Sequence, residues 1–95
     1  MVLGRVAGTV VSTRRSDNIR GAKYLLVEIC NQEGKGRGDF LVALDALGAG
    51  PDELIILSQG SSARQTQISF KKPVDAIVVG IVDLIDEWGE VVFRK

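Results

Sequence analysis

The centre of the chain restricts the possible folds most. Asp45-Ala46-Leu47-Gly48-Ala49-Gly50-Pro51-Asp52 leads into Leu54-Ile55-Ile56-Leu57, and then into Gly60-Ser61-Ser62-Ala63-Arg64. Two small-residue loops therefore flank one short apolar run. The glycines of the first loop can take positive φ and, with Ala49, let another backbone come close. Pro51 stops a strand from running through the loop. The run 54–57 reads as a strand buried on both faces. Ser62 and Gln65 have the spacing of a capping box, which predicts a short helix over about 62–67. This layout suits a junction between copies of the chain better than a catalytic pocket.

The rest of the chain supplies strands. Residues 2–13 read as the first, with Gly4 and Gly8 on the same face as Val2, Val6 and Val10. Glycines in strands mark curvature or a bulge, which a small closed barrel needs. Residues 23–30 form a second strand, with Leu25, Val27 and Ile29 on one face and Tyr24, Leu26 and Glu28 on the other. A basic hairpin loop, Gly34-Lys35-Gly36-Arg37-Gly38, follows. It lacks the spacing of a phosphate-binding loop and does not enter a helix. A third strand is expected over 39–45 with Phe40, Val42 and Leu44 inward, a fourth over 53–58, a fifth over 76–85, and a short last one over 90–94. Asp86 to Gly89 reads as the turn before that last strand.

The expected fold is all-β: a small five-stranded barrel of the oligonucleotide-binding type, with one short helix and a short C-terminal strand. With 95 residues, the chain makes a single domain, 1–95. Such a domain buries only about 60–65% of the surface its unfolded chain exposes. A barrel has one interior, yet several of these strands are apolar on both faces. One short helix cannot cover the surplus, so the pattern predicts a homo-oligomer.

Composition removes most catalytic options. There is no histidine, the commonest general base and metal ligand. Cys30 is the single cysteine, which excludes an intrachain disulfide and predicts a buried free thiol. Asp83 and Asp86 could form a carboxylate pair but read as solvated or paired acids, and Asp45 and Asp75 read as backbone caps at strand ends. No catalytic residue, metal site or cofactor is expected. The longest apolar runs fall far short of the ~20 residues that cross a membrane. The start of the chain enters a strand directly, so a cytoplasmic location without membrane attachment is expected. Net charge is zero, which disfavours nucleic acid. The charge is uneven, however: residues 1–37 hold seven Lys/Arg against three Asp/Glu, and the remainder five against nine. Opposite halves of +4 and −4 suit head-to-tail contacts.

The rival reading is a barrel that binds single-stranded nucleic acid or a protein partner. It would need aromatics interleaved with basic residues. Tyr24, Phe40, Phe70, Trp88 and Phe93 do not cluster with Lys/Arg in the sequence.

Taken together, Val6-Ala7-Gly8-Thr9-Val10-Val11-Ser12-Thr13, Leu25-Leu26-Val27-Glu28, Asp45 to Gly50, Gly60 to Arg64, Pro73-Val74-Asp75-Ala76 and Gly80-Ile81-Val82-Asp83 resemble the EutN/CcmL family of bacterial microcompartment vertex proteins. Pro51-Asp52 departs from the small residue and glycine usual after the family's G-A-G. The resemblance implies a barrel that assembles as a homopentamer and closes the vertices of a polyhedral shell. It implies hexameric shell proteins as partners and no enzymatic activity. It places Gly48, Ala49, Gly50, Gly60, Ser61 and Ser62 in loops near a five-fold axis. Arg64 is then a candidate for a subunit contact.

Overall fold

A computed structural model describes residues 1–11, 23–59 and 76–95. The described residues form seven strands: β1 (Val2–Val10), β2 (Lys23–Cys30), β3 (Gly36–Asp45), β4 (Leu54–Gln59), β5 (Ala76–Ile81), β6 (Leu84–Glu87) and β7 (Glu90–Arg94). The first five close into a barrel in the order β1-β2-β3-β5-β4, with β4 returning to β1. All neighbours are antiparallel except β3 and β5. This is a five-stranded barrel, as the strand pattern predicts. The remaining two strands form a separate hairpin. The predicted helix over 62–67 lies outside the described residues.

The barrel interior is aliphatic. Val6, Leu25, Val27, Ala43, Ile55, Leu57, Ala76 and Val78 meet there, with Val2, Ile29, Leu41 and Ile81 packed around them. Each fully buried Leu, Ile or Val contributes roughly 1.5–3 kcal/mol. The interior is narrow, which explains Gly4: a Cβ at this position would run into Val27 Cγ1 and approach Leu57 at 3.1 Å. Outside the barrel, Cys30, Leu54 and Val82 form a second apolar cluster with Leu3, Ile56, Ile85 and Phe93. That cluster fixes the β6–β7 hairpin to the barrel. Cys30 is the expected buried free thiol. Burial pushes its pKa up, and its Sγ donates to the carbonyl of Glu28 at 3.3 Å.

Three expectations need correction. First, β3 begins at Gly36 instead of 39, and its facing is the reverse of the one expected. Leu41 and Ala43 face the core, while Phe40 and Val42 are exposed. Leu44 is buried but lies outside the interior cluster. The cause is register: Leu41 pairs with Val27 and Ala43 with Leu25, both inward residues of β2, and paired residues share a face. Second, a bulge between Val6 and Gly8 inverts β1, since Val6 pairs with inward Val27 but Gly8 with outward Leu26. Gly4 and Gly8 therefore do not share a face. Third, the expected fifth strand divides. β5 ends at Ile81, Val82 is buried in the second cluster, and β6 starts at Leu84. A register shift where β5 passes β4 also brings both Val78 and Ile81 onto the core.

Candidate assembly surface

The loop 46–53 closes one end of the barrel. Asp45 anchors it: its buried carboxylate accepts the N–H of Leu47 and of Ala49, each at 2.9 Å. A buried carboxylate needs such donors, and this is the capping role read from the sequence. The two bonds pull Ala49 inward, where it is 1% exposed and packs on the core as a plug. Gly48, at φ +84°, carries the chain over it and remains exposed, as does Leu47. Gly50 to Glu53 is a tight turn in which the Glu53 N–H donates to the Gly50 carbonyl at 3.3 Å. Pro51 sits at its second position and Asp52, at φ +62°, at its third. Positive φ there marks a type II turn, which normally takes glycine or asparagine at that position.

Arg5 ties this loop to the rest of the molecule. Its Nη1 donates to the Asp52 carbonyl at 2.8 Å and its Nη2 to the Gly34 carbonyl at 2.7 Å. The guanidinium also lies over the Phe93 ring, 5.9 Å from the centroid. One side chain of β1 thus holds the 46–53 loop, the 31–35 turn and β7. The sequence reading missed it, because an arginine on a strand looks like a solvated residue until its partners are known. Glu53 accepts from the Gly50 N–H and from Lys95. These partners, the lysine first, hold its carboxyl below the usual carboxylate range.

The outer wall of β2 and β3 presents part of the surplus apolar surface. Phe40 is 54% exposed and Val42 46%, beside half-buried Leu26, which pairs with Val42. Exposed apolar groups on one wall of a small barrel mark an association surface.

The sequence-predicted site residues divide in two. Gly48, Ala49 and Gly50 lie together in the plug loop. Gly60, Ser61, Ser62 and Arg64 lie outside the described residues, as do Asp75 and Phe70. Asp83 and Asp86 do not converge: Asp83 is 3.7 Å from the Lys95 ammonium, and Asp86 accepts the Gly89 N–H at 3.0 Å. Among the described residues no group of acids and cysteine could hold a metal ion.

Comparison with known proteins bears on the family and the fold. The profile of the family described as "Ethanolamine utilisation protein EutN/carboxysome" matches residues 1–83. The carboxysome shell vertex protein CcmL of Gloeobacter violaceus is 45% identical over 95 residues, covering 100% of this chain and 95% of that protein. The bacterial microcompartment shell vertex protein EutN of Salmonella typhimurium is 43% identical, covering 100% and 96%. Among solved structures, the GrpN pentameric microcompartment shell protein from Rhodospirillum rubrum superposes with a TM-score of 0.81 at 44% identity, covering 92% of this chain and 99% of that one. Matched over residues 1–83 by the family profile and along its whole length by relatives of such identity, this chain belongs to the EutN/CcmL family.

Proposed function

We propose that this chain forms a homopentamer that closes the vertices of a bacterial microcompartment shell, inside the cytoplasm, and that its role is structural and not enzymatic. The observation that carries this reading is the full-length likeness to proteins named as shell vertex proteins, one relative in the family being described as pentameric. The exposed Phe40 and Val42 wall supplies the physical reason for association. Hexameric shell proteins tile flat sheets, and a five-fold unit adds the curvature that closes them. Within the ring, the loops holding Gly48, Ala49 and Gly50 and holding Gly60, Ser61 and Ser62 approach the five-fold axis. Of the first three, Gly48 is the most exposed. Arg64 pairs with a carboxylate across the subunit contact.

The nucleic-acid reading is not favoured. Phe40 faces across to Glu28, Trp88 is flanked by acids, and Phe93 is engaged by Arg5 within the chain. Negative-stain imaging of shells assembled with and without this chain tests the proposal. Closed polyhedra with this chain, and open or elongated shells without it, are expected. Fully closed shells in its absence would remove the vertex role.

A further inference from the structure

Three departures from local preference meet at the tip of the β6–β7 hairpin. Trp88 is fully exposed at 104%. It also holds φ at 53°, where a bulky residue is an outlier. With Gly89 at φ 90°, it makes the two-residue turn that Asn-Gly or Asp-Gly forms without strain. Finally, Glu87 and Glu90 stand directly opposite each other, and like charges so placed destabilise a hairpin. Among the described residues no ion pair engages either glutamate. The strained turn and the facing glutamates each weaken the hairpin. Together they make an aromatic anchor in an acidic setting, which matches an apolar recess with a cationic rim. Rule-breaking concentrated in one place is the mark of a functional site.

The barrel carries such a recess. A groove of about 430 Å³ is lined by Val2, Leu3, Ile29, Cys30 and Ile56, with Arg37 the one charged side chain in its wall. Arg37 is exposed, and Lys35 lies two residues before it, also exposed. The groove shares Leu3, Cys30 and Ile56 with the second apolar cluster, on which the hairpin's own base rests. The tip of the same hairpin projects away from that base by on the order of 10 Å. It is therefore free to meet another molecule.

We infer that Trp88 of one copy docks in this groove of the next copy, with Glu87 and Glu90 against Arg37 and Lys35. The local charges have the right sign: Arg37 stands in the groove wall with Lys35 two residues before it, and the hairpin tip carries Asp86, Glu87 and Glu90. The contact is heterologous, head to tail, and such contacts form rings when their rotation closes. The inference rests on the pentamer proposed above and names a contact within it.

Trp88 is the single tryptophan, so its fluorescence reports this site alone. The full chain is diluted while native mass and Trp88 emission are followed together. The assembled form is expected to emit at shorter wavelength and to resist acrylamide quenching, both effects disappearing as it dissociates. Trp88→Asn keeps the turn, because Asn tolerates positive φ. It should leave the fold intact and raise the dissociation concentration roughly 30-fold or more, the loss typical of a removed aromatic anchor. Arg37→Glu should loosen the assembly, and Glu87→Lys with Glu90→Lys in the same chain should restore it. A five-copy assembly in which Trp88 stays fully quenchable overturns the docking and leaves the pentamer standing. So does a Trp88→Asn variant that assembles as tightly as the parent. A shift that appears only on adding a hexameric shell protein also overturns it, by assigning the tip to a facet contact. A chain that is monomeric at every concentration removes both the docking and the pentamer.

Discussion

Asp52 and Gly34 show how single residues carry the loop geometry. Asp52 occupies a position of positive φ that costs an ordinary residue about 1–2 kcal/mol. Asp52→Gly relieves this strain, less the entropy a glycine adds to the unfolded chain, and should stabilise the protein by at most about 1 kcal/mol in denaturant titration, since Asp tolerates this region better than most residues. Gly34, at φ +81°, has no room for a methyl group: a Cβ would lie 2.7 Å from Arg5 Nη2 and 2.9 Å from Phe93 Cδ1. Gly34→Ala should therefore destabilise by about 1–3 kcal/mol, read as a fall in the unfolding midpoint. Glu53 sets a pH dependence. Its carboxyl pKa is lowered on folding, by Lys95 first and then by the Gly50 N–H. It therefore stabilises the fold above the usual carboxylate range, and this contribution is lost as pH falls through the lowered value. Stability measured against pH should decline less steeply on the acid side in Glu53→Gln. The capping role of Asp45 could be read from the sequence because it is local. The strain at Asp52 could not, since φ depends on a turn whose type follows from the closure of the whole loop.

At the level of elements, strand positions were legible, and so were the inward face of β2 and the two buried faces of β4, but the facing of β1, β3 and β5 was not. Residues 23–30 and 90–94 are strands with the bounds expected. In β3, side-chain size is a poor guide: Phe40 and Val42 are the larger residues, but a narrow barrel takes Ala43. Bulges in β1 and β5 shift the facing within a strand, and no residue type marks them uniquely. Arg5 is the corresponding device between elements, joining two carbonyls on separate loops and the Phe93 ring. Hydrogen bonds from a charged donor contribute about 1.5–3 kcal/mol each. Arg5→Met should cost about 2–4 kcal/mol in chemical denaturation. Its effect should be non-additive with Phe93→Leu in a double-mutant cycle, because the two side chains touch.

For the whole molecule, the surplus of apolar strand surface could be read from the sequence before any facing was known. Phe40 and Val42 face outward and not inward, and excess apolar surface must appear somewhere on a barrel this small. Part of it appears on the β2–β3 wall. A charge placed there, as in Val42→Glu, should weaken association by about 2 kcal/mol or more per contact while leaving the barrel folded. Sedimentation together with far-ultraviolet circular dichroism separates those two effects. Native mass spectrometry of the purified chain at micromolar concentration tests the central claim most directly. Five copies in one particle is the predicted result, and a single 95-residue chain that keeps its barrel without partners is the result that contradicts it.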